Sequence, residues 1–379
     1  MRLLGSAIFL CVLSACGGGG DPLVQDYFVE TPPPDTTTLE SLMVASSPTK
    51  SKDFYLLPDS DDYDNIPQDP LNPLTGAKVE VGKLIYHDPA FATEGIALRA
   101  KTWSCASCHH ARAGFKSGMI QGIGEGGEGF GLKGETRGWF DPEIGTQDAD
   151  VQPVTSPTIL NVAFQDVMLW NGQLGNASNG IINVGIDPEI LMTEGTPKVA
   201  NAEGLSGIET QAIAGTGVHR ILGFPPELED SDYYQMLLDA FPEYSRDELH
   251  KSSTRAIAAF ERTVLANQSP FQLWLRGDTD AMSEKEIAGA EVFFGDGGCV
   301  ACHQGAAFSA PIGATADQVF FAVGFADLDF NEVIGGVGDG VRLGRGGFTQ
   351  VEEDNYKFKV PQLYNLADIG VFGHGGSFG

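Results

Sequence analysis

The chain is 379 residues long and carries 51 acidic against 23 basic side chains, a net charge of −28 at pH 7. Such a field repels nucleic acid; it suits a solvated acidic surface, as in a salty habitat, or the steering of a basic partner protein. Apolar residues make up 42%, and the length is enough for two domains of ordinary size after a tail.

Residues 1–16 read as a secretory signal: Arg2, an apolar run from Leu3 to Leu13, then Ser14-Ala15-Cys16. The run is too short to span a bilayer. Leu13-Ser-Ala-Cys16 is similar to a bacterial lipobox, so Cys16 is expected to carry lipid and Cys11 to leave with the peptide. The expected location is the periplasm, lipid-anchored, with Gly17 after Cys16 favouring the outer membrane. Residues 17–70 are rich in Pro, Thr, Ser and Asp, lack sustained apolar periodicity and are predicted to be a disordered tether.

A helix is predicted around Val81-Gly-Lys-Leu-Ile-Tyr86, followed by Cys105-Ala-Ser-Cys108-His109. Asp247 to Ala266 has helical spacing and is predicted to pack one lobe onto the other. Ser283-Glu-Lys-Glu286 is a capping box that opens a further helix, which Asp296-Gly-Gly298 ends just before Cys299-Val-Ala-Cys302-His303. The motif CxxCH thus occurs twice. Two thiols one turn apart can add to the vinyl groups of one porphyrin, and the next imidazole can reach its iron. A redox dithiol or half a zinc site is the competing reading of a single copy. With Cys11 and Cys16 assigned to the leader, the remaining four cysteines serve two haems and no disulfide. The repeat predicts a mainly α fold of two cytochrome c-like haem lobes with long loops, residues 71–270 and 271–379. The glycine-rich stretches 122–129 and 335–340 lack the Lys-Ser/Thr ending of a phosphate loop.

An ordered series of segments resembles the bacterial di-haem cytochrome c peroxidase family, which includes MauG-like enzymes. It runs through Gly82 to Asp88, Cys105 to His109, Ser156 to Asn161, Leu169 to Gly172 and Gly207 to Ala212. It continues with Ala256 to Arg262, Ser269 to Leu275, Cys299 to Gly305 and Phe358 to Asn365. The resemblance implies two covalent haems c, with His109 and His303 as proximal iron ligands. It implies reduction of hydrogen peroxide at the N-terminal haem by electrons relayed from the C-terminal haem, the donor being a small cytochrome c or cupredoxin. Trp170 matches the tryptophan between the haems, a role compatible with that of a core aromatic at the lobe interface. Gln211 matches a glutamine on the peroxide side.

The sequence departs from the family at several places. Ile221 stands where the family has a proton-moving glutamate, so His219 takes over the acid/base role or the reaction differs. Arg220 either stabilises a developing oxyanion or faces solvent. Glu209 is either a further catalytic carboxylate or a structural hydrogen-bonding group. Glu125 stands at the place of a distal histidine, and His110 and Met119 are the nearest alternatives, so the first haem is expected to be open without activation. Thr155 replaces an asparagine beside the family's inter-lobe calcium ion, which backbone carbonyls could still bind. Phe372-Gly-His374-Gly-Gly376 resembles the loop ahead of the last helix, and the segment that supplies Met or Tyr to the second haem is expected beyond Gly379. A MauG-like oxidase and a non-catalytic di-haem electron carrier are the alternative readings, and family members are often homodimers.

Overall fold

A computed structural model describes residues 35–378 other than 94, 96–99, 140–148, 177–180, 222 and 325–337. The leader, with Cys11 and Cys16, lies outside them. Helices dominate. They are α1 (Thr37–Ser46), α2 (Gly76–His87), α3 (Cys105–Cys108), α4 (Pro188–Leu191), α5 (Gly207–Val218), α6 (Asp232–Ala240), α7 (Leu249–Arg262), α8 (Pro270–Leu275) and α9 (Glu284–Phe294), with shorter turns after residue 315. The described strands form three two-residue antiparallel pairs: β1 with β2 (Gly127–Glu128, Gly138–Trp139), β3 with β4 (Val167–Met168, Leu174–Gly175) and β5 with β6 (Phe320–Phe321, Phe358–Lys359). Long loops between short helices leave room for a large flat ligand to complete the core, as the repeat predicts.

The main core gathers around α2, α5, α6 and α7, with Val81, Ile85, Tyr86, Ile208, Ala256 and Ala259 all buried. Gly82 makes the crossing of α2 over α7 possible: a Cβ there would lie 1.8 Å from the carbonyl oxygen of Ala256. The helix expected over 247–266 is α7, with a 3-10 turn at Arg246–Glu248 before it. It packs on α2, α5 and α6. Its main partners therefore all lie ahead of residue 270, whereas the sequence suggested that it would pack against the segment beyond.

Contacts with the C-terminal residues are made elsewhere. The β3–β4 hairpin meets the C-terminal residues through Lys359 N–H to the Trp170 carbonyl (2.8 Å) and Arg345 to the carbonyls of Ile182 (2.8 Å) and Asn171 (3.2 Å). Trp170 sits at the tip of this hairpin.

The predicted tether needs correction over its described part. Leu39, Met43, Tyr55 and Leu57 are each fully buried, the first three in a cluster with Trp274, Ile287 and Phe294. Gln272 fixes the arm, accepting from Leu57 N–H and donating to the Tyr55 carbonyl, both at 2.8 Å. Within α1 the residues Leu39, Leu42 and Met43 keep a helical spacing that the sequence reading passed over, while the partners of the arm lie more than 200 positions away and are invisible locally.

Candidate functional site: two haem-binding loops

The two CxxCH loops share one construction. His109 Nδ1 donates to the carbonyl of Phe115 (3.2 Å), and His303 Nδ1 donates to the carbonyl of Phe308 (2.9 Å). Both phenylalanines have left-handed backbones, φ 57° and 48°. Bridges from His110 to Lys116 and from Gln304 to Ser309 close the loops. Tying Nδ1–H to a carbonyl leaves Nε2 as the lone-pair nitrogen, the form a metal requires. Burial, assisted by the charge of His219, holds His109 down at about 4, so its ring is neutral. Burial also pushes Cys108 up to about 12 and Cys105 higher still, with Glu261 adding to the second. The four thiols are unpaired with one another. Two thiols beside an imidazole oriented through its Nδ1, in each of two loops, is a donor set that fits a c-type haem and offers no closed tetrahedral zinc site.

The surroundings of the first loop form two adjoining cavities that share Cys108, His109, Gln211, Gly215 and His219. The larger has an open side and is walled by Pro153, Leu169, Trp170, Leu174 and Val218 as well as by α5. One face is α5. Gln211, Gly215 and His219 lie at i, i+4 and i+8, on one stripe of the helix and its C-cap. A Cβ at Gly215 would lie 3.6 Å from Gln211 Nε2 and 3.9 Å from His219 Cδ2, so the glycine leaves a bare strip between two polar groups.

His219 is held from behind. Its Nδ1 pairs with Asp150 Oδ2 at 2.9 Å, and the Gln152 amide donates to Asp150 Oδ1 at 3.0 Å. Burial alone would lower the affinity of His219 for a proton, but the Asp150 carboxylate outweighs it and raises the pKa above its ordinary value. Ile221, at the place expected for a glutamate, lines the same cavity.

The other expected residues go elsewhere. Glu209 is fully buried in a two-point pair with Arg262 (3.0 and 2.5 Å) and accepts from Asn72 (3.1 Å). That is the structural reading, away from the cavities. Arg220 bonds the buried Glu125, joining the glycine-rich loop to the end of α5, which replaces both readings offered for it. His110 and Met119 line neither cavity. Trp170 lines the larger one, donates to the Thr155 carbonyl (3.1 Å) and meets the His374 ring edge-on at 5.9 Å. Thr155 donates its hydroxyl to the Ile120 carbonyl (2.9 Å), and among the described residues no three His, Cys, Asp or Glu gather as a metal site.

Sequence reasoning missed Asp150 and Gln152, which lie in a loop with no local pattern. It also missed Glu261 as a site residue. This carboxyl lines the cavity near Cys105, lacks a hydrogen-bond partner on Oε2, and is pushed up to about 8 by burial and by Glu209, against Arg262. An acid on the apolar face of α7 was the available signal.

Fold and site together define a di-haem c-type cytochrome whose two haem environments differ. The sequence signature described as di-haem cytochrome c peroxidase matches residues 76–280, and the chain belongs to that family. Among its relatives are a cytochrome c peroxidase of Escherichia coli, 27% identical over 80% of this chain and 51% of that protein, and the methylamine utilization protein MauG of Methylorubrum extorquens, 24% identical over 83% and 69%. The cytochrome c551 peroxidase of Pseudomonas aeruginosa is 25% identical over 80% and 69%. The chain thus spans about half the length of the E. coli relative. A crystal structure of a MauG-like protein associated with microbial copper homeostasis shares the fold, with a TM-score of 0.51 at 21% identity over 85% of this chain and 78% of that one.

Proposed function

We propose that the protein is a di-haem peroxidase: hydrogen peroxide, two protons and two electrons give two waters at the haem of Cys105, Cys108 and His109. The observation that carries this reading is His219, backed by Asp150 and facing the cavity of His109 beside Gln211. When bound, the haem supplies an iron that coordinates peroxide and passes electrons into its O–O bond. The chain's own residues do the rest. Asp150 fixes the His219 tautomer with Nδ1–H inward, so Nε2 takes the proton from the near peroxide oxygen and returns it to the departing one. The Gln211 amide orients the peroxide. Gly215 keeps the strip between them clear.

Electrons would come from a small cytochrome c or cupredoxin steered by the acidic surface; Cys299, Cys302 and His303 would hold the haem that accepts them, and Trp170 would lie on the path towards His109. We propose a periplasmic protein held by lipid on Cys16; among the described residues no helix is long and apolar enough to cross a membrane. A MauG-like oxidation of an organic substrate is the second reading, favoured by the likeness to MauG. The test is peroxide consumption by the holoprotein with a reduced cytochrome c. Turnover lost in His219→Ala with both haems attached supports the peroxidase, and unchanged turnover refutes the assignment of His219.

A further inference from the structure

A third cavity shares Trp170 with the larger His109 cavity. Its wall is largely apolar, with Pro157, Leu169, Pro361 and Ile369, and contains no Asp or Glu. Two lysines enter it from distant parts of the chain. Lys116 is only 6% exposed; its Nζ donates to the Val371 carbonyl at 3.3 Å and lies 5.9 Å from the Trp170 ring centre. The Lys359 ammonium bonds the Gln165 side-chain oxygen. All partners are neutral, and burial pushes both amines down to about 8. In a chain of net charge −28, two cations that share a cavity wall with no anion invert the general pattern. Buried charges are normally paired, because desolvation costs several kcal/mol per ion. The same two ammoniums oppose a divalent cation here and favour a carboxylate.

The two lysines also report where that carboxylate comes from. Lys116 follows Phe115, the residue that fixes His109, and bridges to His110. Lys359 lines a narrow cleft with Ser309 and Ala310, which follow Phe308, the residue that fixes His303. Pro157, Leu169 and Trp170 form part of the walls of both this cavity and the larger His109 cavity. The first haem loop thus contributes Lys116 to this positive space, Lys359 lines both it and the cleft beside the second loop, and each c-type haem brings two propionates opposite in charge to it.

We infer that Lys116 and Lys359 form a carboxylate seat for porphyrin propionates, placing fixed positive charge beside Trp170 between the two haem loops. The inference rests on the chain's carrying haem and is independent of peroxide chemistry. The test uses the holoprotein with both haems attached. Lys359→Met and Lys116→Met should each shift at least one haem to a more negative midpoint potential, on the order of tenfold in the reduced-to-oxidised ratio at fixed ambient potential. The propionate bands in resonance Raman spectra should move with it, and Lys359→Arg should keep both near wild type. If a Met variant fails to acquire haem, infrared spectra of the wild-type protein carrying haem labelled with 13C at the carboxylates decide: ammonium-bonded bands support the seat, and solvent-like bands alone overturn it. Unmoved potentials and bands in both Met variants also overturn it. So does acetate binding to wild-type holoprotein that vanishes in Lys359→Met, because a free carboxylate would then be the occupant, or calcium binding that requires the same cavity.

Discussion

The two CxxCH loops are near copies on the proximal side and differ in everything that surrounds them. Each ties its histidine to the carbonyl of a left-handed phenylalanine. Yet Cys108 is buried under the stripe of Gln211, Gly215 and His219, whereas Cys299 is exposed and Cys302 is half-buried against a small cluster of Val167, Ile182 and Phe320. Attachment is thus a repeated module, and chemistry is decided by what faces it. Even the repeated phenylalanines diverge. Phe308 touches the rings of Tyr55, Phe271, Phe293, Phe294 and Tyr364, while Phe115 has no ring partner among the described residues.

The comparison breaks most visibly at His219. Its replacement by Ala should lower peroxide turnover about 10²–10⁴-fold while the absorption of the second haem is unchanged; an equal disturbance of both haems would mean that the two environments are not separate. Next in size, Phe308→Ala should destabilise the protein by about 2–3 kcal/mol in thermal or denaturant unfolding, and Phe115→Ala by less. The reverse order would remove the distinction drawn between the loops.

Asp150→Asn should lower turnover about 10–100-fold through loss of the held tautomer. The sign of its pH effect is fixed. Asp150 raises the proton affinity of His219 against the effect of burial, and the base must be neutral to act. Removing that charge moves the acid limb of the rate profile to lower pH; a shift upward would deny the pairing.

The smallest effect concerns Glu261. Its folded-state pKa, about 8, lies above its ordinary value, so the folded protein binds more protons than the unfolded chain between those limits. The stability it contributes is present at low pH and declines as pH rises towards 8. Glu261→Gln should therefore gain stability relative to wild type over that interval, by no more than about 1.4 kcal/mol per pH unit. A flat difference across pH would show that the carboxyl is not neutral beside Cys105.

Local chemistry was legible. The Ser283–Glu286 capping box appears with Ser283 N–H donating to Glu286 at 2.8 Å, and the repeat of helix, turn and CxxCH is real. His219 and Gln211 reach one cavity because both lie along one helix, a relation that spacing can reveal. Pairings across the fold were not legible. Nothing near Glu209 announces Arg262, nothing near Arg220 announces Glu125, and Asp150 is 69 positions from the histidine it holds. The arm at residues 37–57 failed in part for the same reason, since the residues that bury Tyr55 and Leu57 are distant, although the Leu39–Met43 spacing of α1 was a local signal.

That arm also sets an order of assembly. Tyr55 and Leu57 leave the ribosome long before Gln272 and Phe294, yet they cannot be seated until those residues exist. Loop closure over such a separation is slow compared with local helix formation. Docked on α8 and α9, the arm straps a segment that the ribosome delivers more than 200 residues after it.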